Sequence, residues 1–261
     1  MSLAYDRTGS GPPLVLIHGV GHRRQAWNAV VDLLAPYRDL IFVDLPGHGE
    51  SPPLVTAGGP PVPVLLDAVL GLLDELGLER PHVAGNSLGG RLALEAGAAG
   101  RAASVTALSP AGFFRNRGDM LYARSMFRVM QAAGRVLQPV APVLLRSTAG
   151  RGLVYGAVVS HPSRLTPEQA SGDMAAFLAA GDALGAVLAG ADQFTAQIPA
   201  DVPVTIAWGA HDRLLPRRQA LVAKAQLPTA QFVLLRGCGH VPMTDDPELV
   251  ADVLLHGSSA P

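Results

Sequence analysis

Cysteine is nearly absent: Cys238 is the sole one in 261 residues, so no internal disulfide can staple the chain. Charge is also sparse. Only 16% of residues are charged, the formal net charge is -1 and the isoelectric point is near 6.7, which leaves no electrostatic footprint for nucleic acid. Lys and Arg form no run long enough to read as a contact for an anionic membrane surface. The first six residues lack a basic segment leading into an apolar one, so no secretory signal is expected. No uninterrupted apolar stretch reaches the length of a bilayer span. These absences lead to the expectation of a cytoplasmic protein. Nucleotide-binding signatures are missing too, since there is no G-x-x-x-x-G-K-[ST] and no well-placed G-x-G-x-x-G.

What is abundant is Ala, Val and Leu, in a chain that is 49% hydrophobic with a mean hydropathy of +0.28. A buried parallel sheet demands that composition. Short apolar runs at 14–17, 40–44, 82–86, 105–109, 204–208 and 232–235 end at Gly, Asp, Ser or Pro and predict strands. Helices are predicted over 26–35, 64–76, 88–99, 217–226 and 247–255, with 52–63 as a Pro/Gly-rich loop. Strand–helix alternation of this kind builds a mostly parallel sheet flanked by helices. Between residues 112 and 199 the rhythm stops and only helical pieces are expected. The organisation that follows is a core from 1–111 and 200–261, carrying a helical cap at 112–199.

Gly85-Asn86-Ser87-Leu88-Gly89 follows a predicted strand and opens a predicted helix. A serine at such a turn is lifted clear of the sheet, and its flanking glycines let strand and helix pass closely. With 29 glycines, roughly 0.2 chance copies of this pattern are expected, so its strand–turn–helix context carries the weight. A hydroxyl needs a base to act as a nucleophile, and the base needs an orienting carboxylate. His240 sits in a Gly-rich loop after the last predicted strand, and Asp212 follows the preceding one. Both loops belong at the carboxyl edge of the sheet, where open α/β folds bind ligands. Asp245 and Asp246 precede Pro247 and read as an N-terminal cap of the final helix. Cys238 reads as a small residue under the site with nothing to activate its thiol. Donors for an oxyanion are assigned to the backbone N–H groups of Leu88 and, within one residue, Val20.

These motifs together resemble the α/β-hydrolase superfamily, in its serine-nucleophile, lid-bearing branch. The resemblance rests on His18-Gly19, the Asp44-to-Ser51 turn, Gly85-to-Gly90, Gly209-to-Asp212 and Gly239-His240. It implies Ser87, Asp212 and His240 as a catalytic triad, Asp44 and His48 as structural turn residues, and hydrolysis of a small molecule without metal or organic cofactor. It also places Ser87 where dehalogenases and epoxide hydrolases carry an aspartate. The Gly-Asn-Ser-x-Gly-Gly form is similar to carbon–carbon bond hydrolases of vinylogous diketones, which carry an aromatic residue where Val241 stands here. A cofactor-free haloperoxidase-like enzyme and a non-catalytic ligand receptor on the same fold complete the alternatives. Phe113, Phe114, Met126, Phe127, Met130 and Phe177 are expected to give the cap an apolar inner face. Eight arginines against five acidic residues in 112–199 are too small an excess to name an anionic substrate.

Overall fold

A computed structural model describes residues 2–259. Seven strands form its sheet: β1 Tyr5–Gly9, β2 Pro13–Ile17, β3 Asp39–Val43, β4 His82–Asn86, β5 Ser104–Leu108, β6 Val204–Gly209 and β7 Gln231–Leu235. Their spatial order is β1-β3-β2-β4-β5-β6-β7. All neighbours are parallel except β1 against β3. The six parallel strands fall within a residue of the expected runs. β1 was not expected, because Tyr5-Asp6-Arg7-Thr8-Gly9 has no apolar alternation and every residue in it is exposed. It is a polar edge strand, held by pairing to β3 and by a bidentate Arg7–Asp39 ion pair.

Alternation within the strands sends side chains to two cores. Val15, Ile17, Ile41 and Val43 face one layer, made by α2 (Pro61–Glu75), α3 (Leu88–Ala98) and α9 (Arg218–Gln226). Leu14, Leu16, Leu40 and Phe42 face the other, made by α1 (Asn28–Leu34) and α11 (Pro247–Gly257). Helices on both faces shield the sheet, which is why its strands read as continuous apolar runs. Helix α2 begins at Pro61, inside the stretch expected as loop. Proline fits there because first-turn N–H groups have no intrahelical acceptor to lose. A 3-10 turn at Arg24–Trp27 leads into α1, so that helix starts later than its apolar pattern implied.

Between β5 and β6 the described chain contains helices alone: α4 Arg117–Leu137, α5 Ala141–Leu144, α6 Thr148–Tyr155, a 3-10 turn at Pro162–Arg164, α7 Pro167–Ala179 and α8 Gly181–Ala189. No single helix among the described residues is long and apolar enough to cross a membrane. The last short helix, α10, is Pro242–Asp245. Strand order sets the position of the site. The chain goes from β2 to β3 on one side and then to β4 on the other, so the loops leaving β2 and β4 diverge in opposite directions. A crevice opens at their carboxyl ends, where such sheets bind ligands.

Candidate active site

β4 ends at Asn86 and α3 begins at Leu88, so one residue must turn the chain. That residue is Ser87, with φ 57° and ψ −114°. A side chain in this region costs about 1–3 kcal/mol and persists only where its surroundings enforce it. Here they do. Ser87 N–H donates to Leu108 O at 2.9 Å, and Ser87 O accepts from Arg91 and Ala111 N–H, both at 3.0 Å. The tightness of the turn explains its glycines: a Cβ on Gly85 would lie 2.2 Å from the Gly89 carbonyl carbon, and one on Gly89 only 2.0 Å from Ile17 O.

His240 and Asp212 arrive from the ends of β7 and β6. His240 Nδ1–H donates to Asp212 Oδ2 at 2.7 Å, and both residues are buried. A carboxylate can only accept, so this bond places the proton on Nδ1 and leaves Nε2 as the basic nitrogen. The other carboxylate oxygen, Oδ1, accepts from Leu214 N–H at 2.9 Å and Leu215 N–H at 2.8 Å. Trp208, buried at the end of β6, donates its indole N–H to Leu215 O and braces the same loop. The two loops run so close that a Cβ on Gly209 would sit 2.1 Å from Gly239 O.

Ser87 and His240 line one cavity, together with Gly19, Val20 and Gly21 from the loop after β2. Ser87 Oγ and His240 form no closed hydrogen bond. Such contacts commonly tighten only around a substrate. Leu88 N–H stands at the start of α3, where no intrahelical acceptor exists. On the facing loop the Gly21 N–H is taken by His48 Nε2 at 3.0 Å, whereas Val20 N–H donates to no backbone or side-chain group among the described residues.

Four further residues shape the site, and single-residue patterns did not reveal their contacts. His18 Nδ1–H donates to Gly19 O at 2.8 Å, and its Nε2 accepts Leu45 N–H at 3.0 Å. His48 Nδ1–H donates to Pro46 O at 3.0 Å while its Nε2 holds Gly21. Burial is the main cause that lowers the pKa of both rings, and each needs one bare nitrogen for its accepting role. Asn86 donates to His240 O at 2.9 Å, linking the turn to the histidine loop. Asp245 accepts from Gly239 N–H at 2.7 Å, Ser160 N–H at 3.0 Å and His161 N–H at 2.6 Å.

Asp245 therefore differs from the expected helix cap. Asp246 alone caps α11, accepting Leu249 N–H at 3.0 Å, while Asp245 ties the histidine loop to the segment after α6. Asp44 is fully buried, accepts Arg24 and Glu50 backbone N–H groups and pairs with the Arg24 guanidinium. That partner set is what a structural turn residue needs. Cys238 is buried, and its thiol is pushed up to about 12 by burial and by the nearby Asp245 and Asp246. A thiol so held does not ionise near neutrality.

The cavity measures about 350 Å³. Met126, Phe127, Met130 and Phe177 line it, as the apolar-face expectation had it. Phe113 and Phe114 do not: both are buried in the sheet-side core, where Phe113 packs on Phe194 at 5.7 Å. Among the described residues no Arg or Lys lines the cavity, and the one carboxylate that does is Asp173. Among the described residues no group of three His, Cys, Asp or Glu side chains is arranged to hold a metal ion.

Comparison with known proteins agrees with this architecture. The chain is 28% identical over 266 residues to the pimeloyl-[acyl-carrier protein] methyl ester esterase of Aeromonas hydrophila, covering 98% of this chain and 99% of that one. It is 31% identical over 251 residues to the 2-hydroxy-6-oxononadienedioate/2-hydroxy-6-oxononatrienedioate hydrolase of Cupriavidus pinatubonensis, covering 89% and 82%. Among solved structures, a thermophilic esterase from Thermogutta terrifontis superposes with a TM-score of 0.71 at 23% identity, covering 97% and 92%. The sequence profile described as the alpha/beta hydrolase family matches residues 14–253. With that match spanning nearly the whole chain, over a sheet of the family's topology, this protein belongs to the α/β-hydrolase family.

Proposed function

We propose that the protein is a serine hydrolase that cleaves an ester, thioester or related acyl bond of a small, apolar substrate through an acyl-enzyme. The observation that carries this reading is the His240–Asp212 bond of 2.7 Å beside a strained, cavity-facing Ser87. In the proposed reaction His240 Nε2 takes the Ser87 proton as Oγ attacks the acyl carbon. Asp212 stabilises the imidazolium that results. The N–H groups of Val20 and Leu88 bind the oxyanion, one from each side of the crevice. His240 returns the proton to the leaving alcohol or thiol, then activates water to release the acid and free Ser87.

The helical stretch at 112–199 is assigned as a cap over the core of 1–111 and 200–261, with the acyl group against Met126, Phe127, Met130 and Phe177. Carbon–carbon bond cleavage is the second reading. The Asn86-Ser87-Leu88-Gly89-Gly90 pattern and the 31% identical dienedioate hydrolase favour it. A dioate would bring charged carboxylates into a cavity lined by no Arg or Lys, and burying unpaired charge is costly, so acyl hydrolysis fits the lining better.

A panel of p-nitrophenyl esters from acetate to decanoate tests the proposal. Wild type is expected to turn over the panel, and Ser87→Ala to lose several orders of magnitude in rate while melting at the wild-type temperature. Near wild-type hydrolysis by Ser87→Ala would remove Ser87 as nucleophile. Turnover of a vinylogous diketone with none of any ester would favour the second reading.

A further inference from the structure

The outer surface of the stretch between β5 and β6 has a character that the cavity chemistry does not explain. More than half of the large apolar side chains exposed among the described residues fall in 121–153. Val136 is 77% exposed, Val143 72%, Leu153 71%, Val129 64% and Val140 53%. On α4, Val129, Ala133 and Val136 recur at helical spacing, so they share one face. Val129, Ala133 and Leu153 are exposed and line the cavity as well, which puts them at its mouth. The apolar face of α4 thus reaches from the outside of the molecule to the mouth of the site.

Charge within this stretch, 121–153, has one sign. Residues 121–153 contain five arginines and no Asp or Glu. Arg124 is half-buried and Arg151 is buried, whereas Arg128, Arg135 and Arg146 are exposed, and none of these three pairs with a carboxylate among the described residues. Arg128 and Arg135 lie one position from Val129 and Val136 along α4, so they border the apolar face. Their spacing of seven residues is why no basic run appears in the sequence. Exposed valines cost solubility and lone arginines give little to folding, but together they match an interfacial surface: apolar groups that enter the acyl boundary, and guanidinium groups at headgroup phosphates.

We propose that this face docks on an anionic lipid surface and presents the cavity mouth to substrate dissolved in it. The occupant is a lipid surface and not a second copy of the chain, because two such stretches, each with three exposed arginines and no Asp or Glu of its own, would bring like charges together. The inference rests on the acyl-site reading for what docking serves, but docking itself is scored without turnover.

Co-sedimentation of the full chain with vesicles tests it. Wild type and Ser87→Ala are expected to bind phosphatidylcholine vesicles containing phosphatidylglycerol, to leave them in about 0.5 M NaCl, and to ignore pure phosphatidylcholine. Arg128→Gln/Arg135→Gln/Arg146→Gln should weaken partitioning by about 100-fold, near five-fold per arginine. Val136→Asp/Val143→Asp should abolish it. Both variants should keep the wild-type melting temperature and acetate-ester turnover, since none of these side chains lines the cavity. No wild-type binding to anionic vesicles, equal binding to neutral ones, or wild-type binding by both variants overturns the proposal. So does a dimer in light scattering that Val136→Asp/Val143→Asp dissociates, which would assign the face to self-association.

Discussion

Replacing Asp212 by Asn tests the proposed base more finely than deleting it, because the surrounding backbone dictates how the amide must sit. Asp212 Oδ1 accepts two N–H groups, from Leu214 and Leu215, and Oδ2 accepts one from His240. Asparagine offers one carbonyl oxygen and one NH2. Turning the NH2 towards Leu214 and Leu215 leaves two buried donors facing donors, at about 1–3 kcal/mol each. Turning it towards His240 leaves only one conflict, and the ring escapes that one by moving its proton. The amide therefore keeps its oxygen on the two backbone N–H groups. His240 becomes the Nε2–H tautomer, with a donor in place of a base facing Ser87.

The expected result is a fall in kcat of about 10⁴-fold near neutral pH, with KM changed little. The melting temperature should move only modestly, because the loop keeps both of its backbone bonds. Rates on a p-nitrophenyl ester across pH 6 to 10, beside thermal melts, measure this. A kcat within ten-fold of wild type at neutral pH would show that His240 does not need the Asp212 carboxylate to hold its tautomer.

Acid should weaken the fold through His18 and His48. Both are held below their ordinary pKa in the native state, mainly by burial. The unfolded chain binds their protons at about pH 6.5. Their contribution is complete above that value and is lost as pH falls towards the depressed native pKa. Urea unfolding free energy should therefore drop from pH 7.5 to pH 5, and the slope should flatten in His18→Gln. A wild-type stability that rises on acidification would contradict the assignment of both rings as neutral. Met130→Trp fills part of the 350 Å³ cavity and should cut kcat/KM for decanoate relative to acetate by about ten-fold or more. An unchanged chain-length profile would place the acyl group elsewhere.

Much of this architecture is written locally in the sequence. Leu14-Val15-Leu16-Ile17 and Leu40-Ile41-Phe42-Val43 are apolar on both sides because helices cover both faces of the sheet, so their burial needs no knowledge of the partners. The turn at Ser87 is legible for a similar reason, since the glycines that strand and helix require lie within two residues of it. β1 was hidden because its five residues are polar and exposed, and only its pairing to Asp39–Val43 makes it a strand. Asp245 looked like a helix cap because a carboxylate before Pro247 is a local pattern. Its real partners at Ser160 and His161 lie 85 and 84 residues away. His48 holding Gly21, and Asn86 holding His240, are loop-to-loop bonds of the same kind. Phe113 and Phe114 were assigned by composition to the cavity, but backbone direction sends them to the core.

The most direct test of a Ser87 nucleophile is to ask which side chain becomes covalently modified. Incubation with a fluorophosphonate followed by intact-mass and peptide analysis should show one adduct per chain, on Ser87, abolished in Ser87→Ala and strongly slowed in His240→Ala. An adduct on another residue, or none while the wild type still hydrolyses esters, would contradict a Ser87 nucleophile activated by His240.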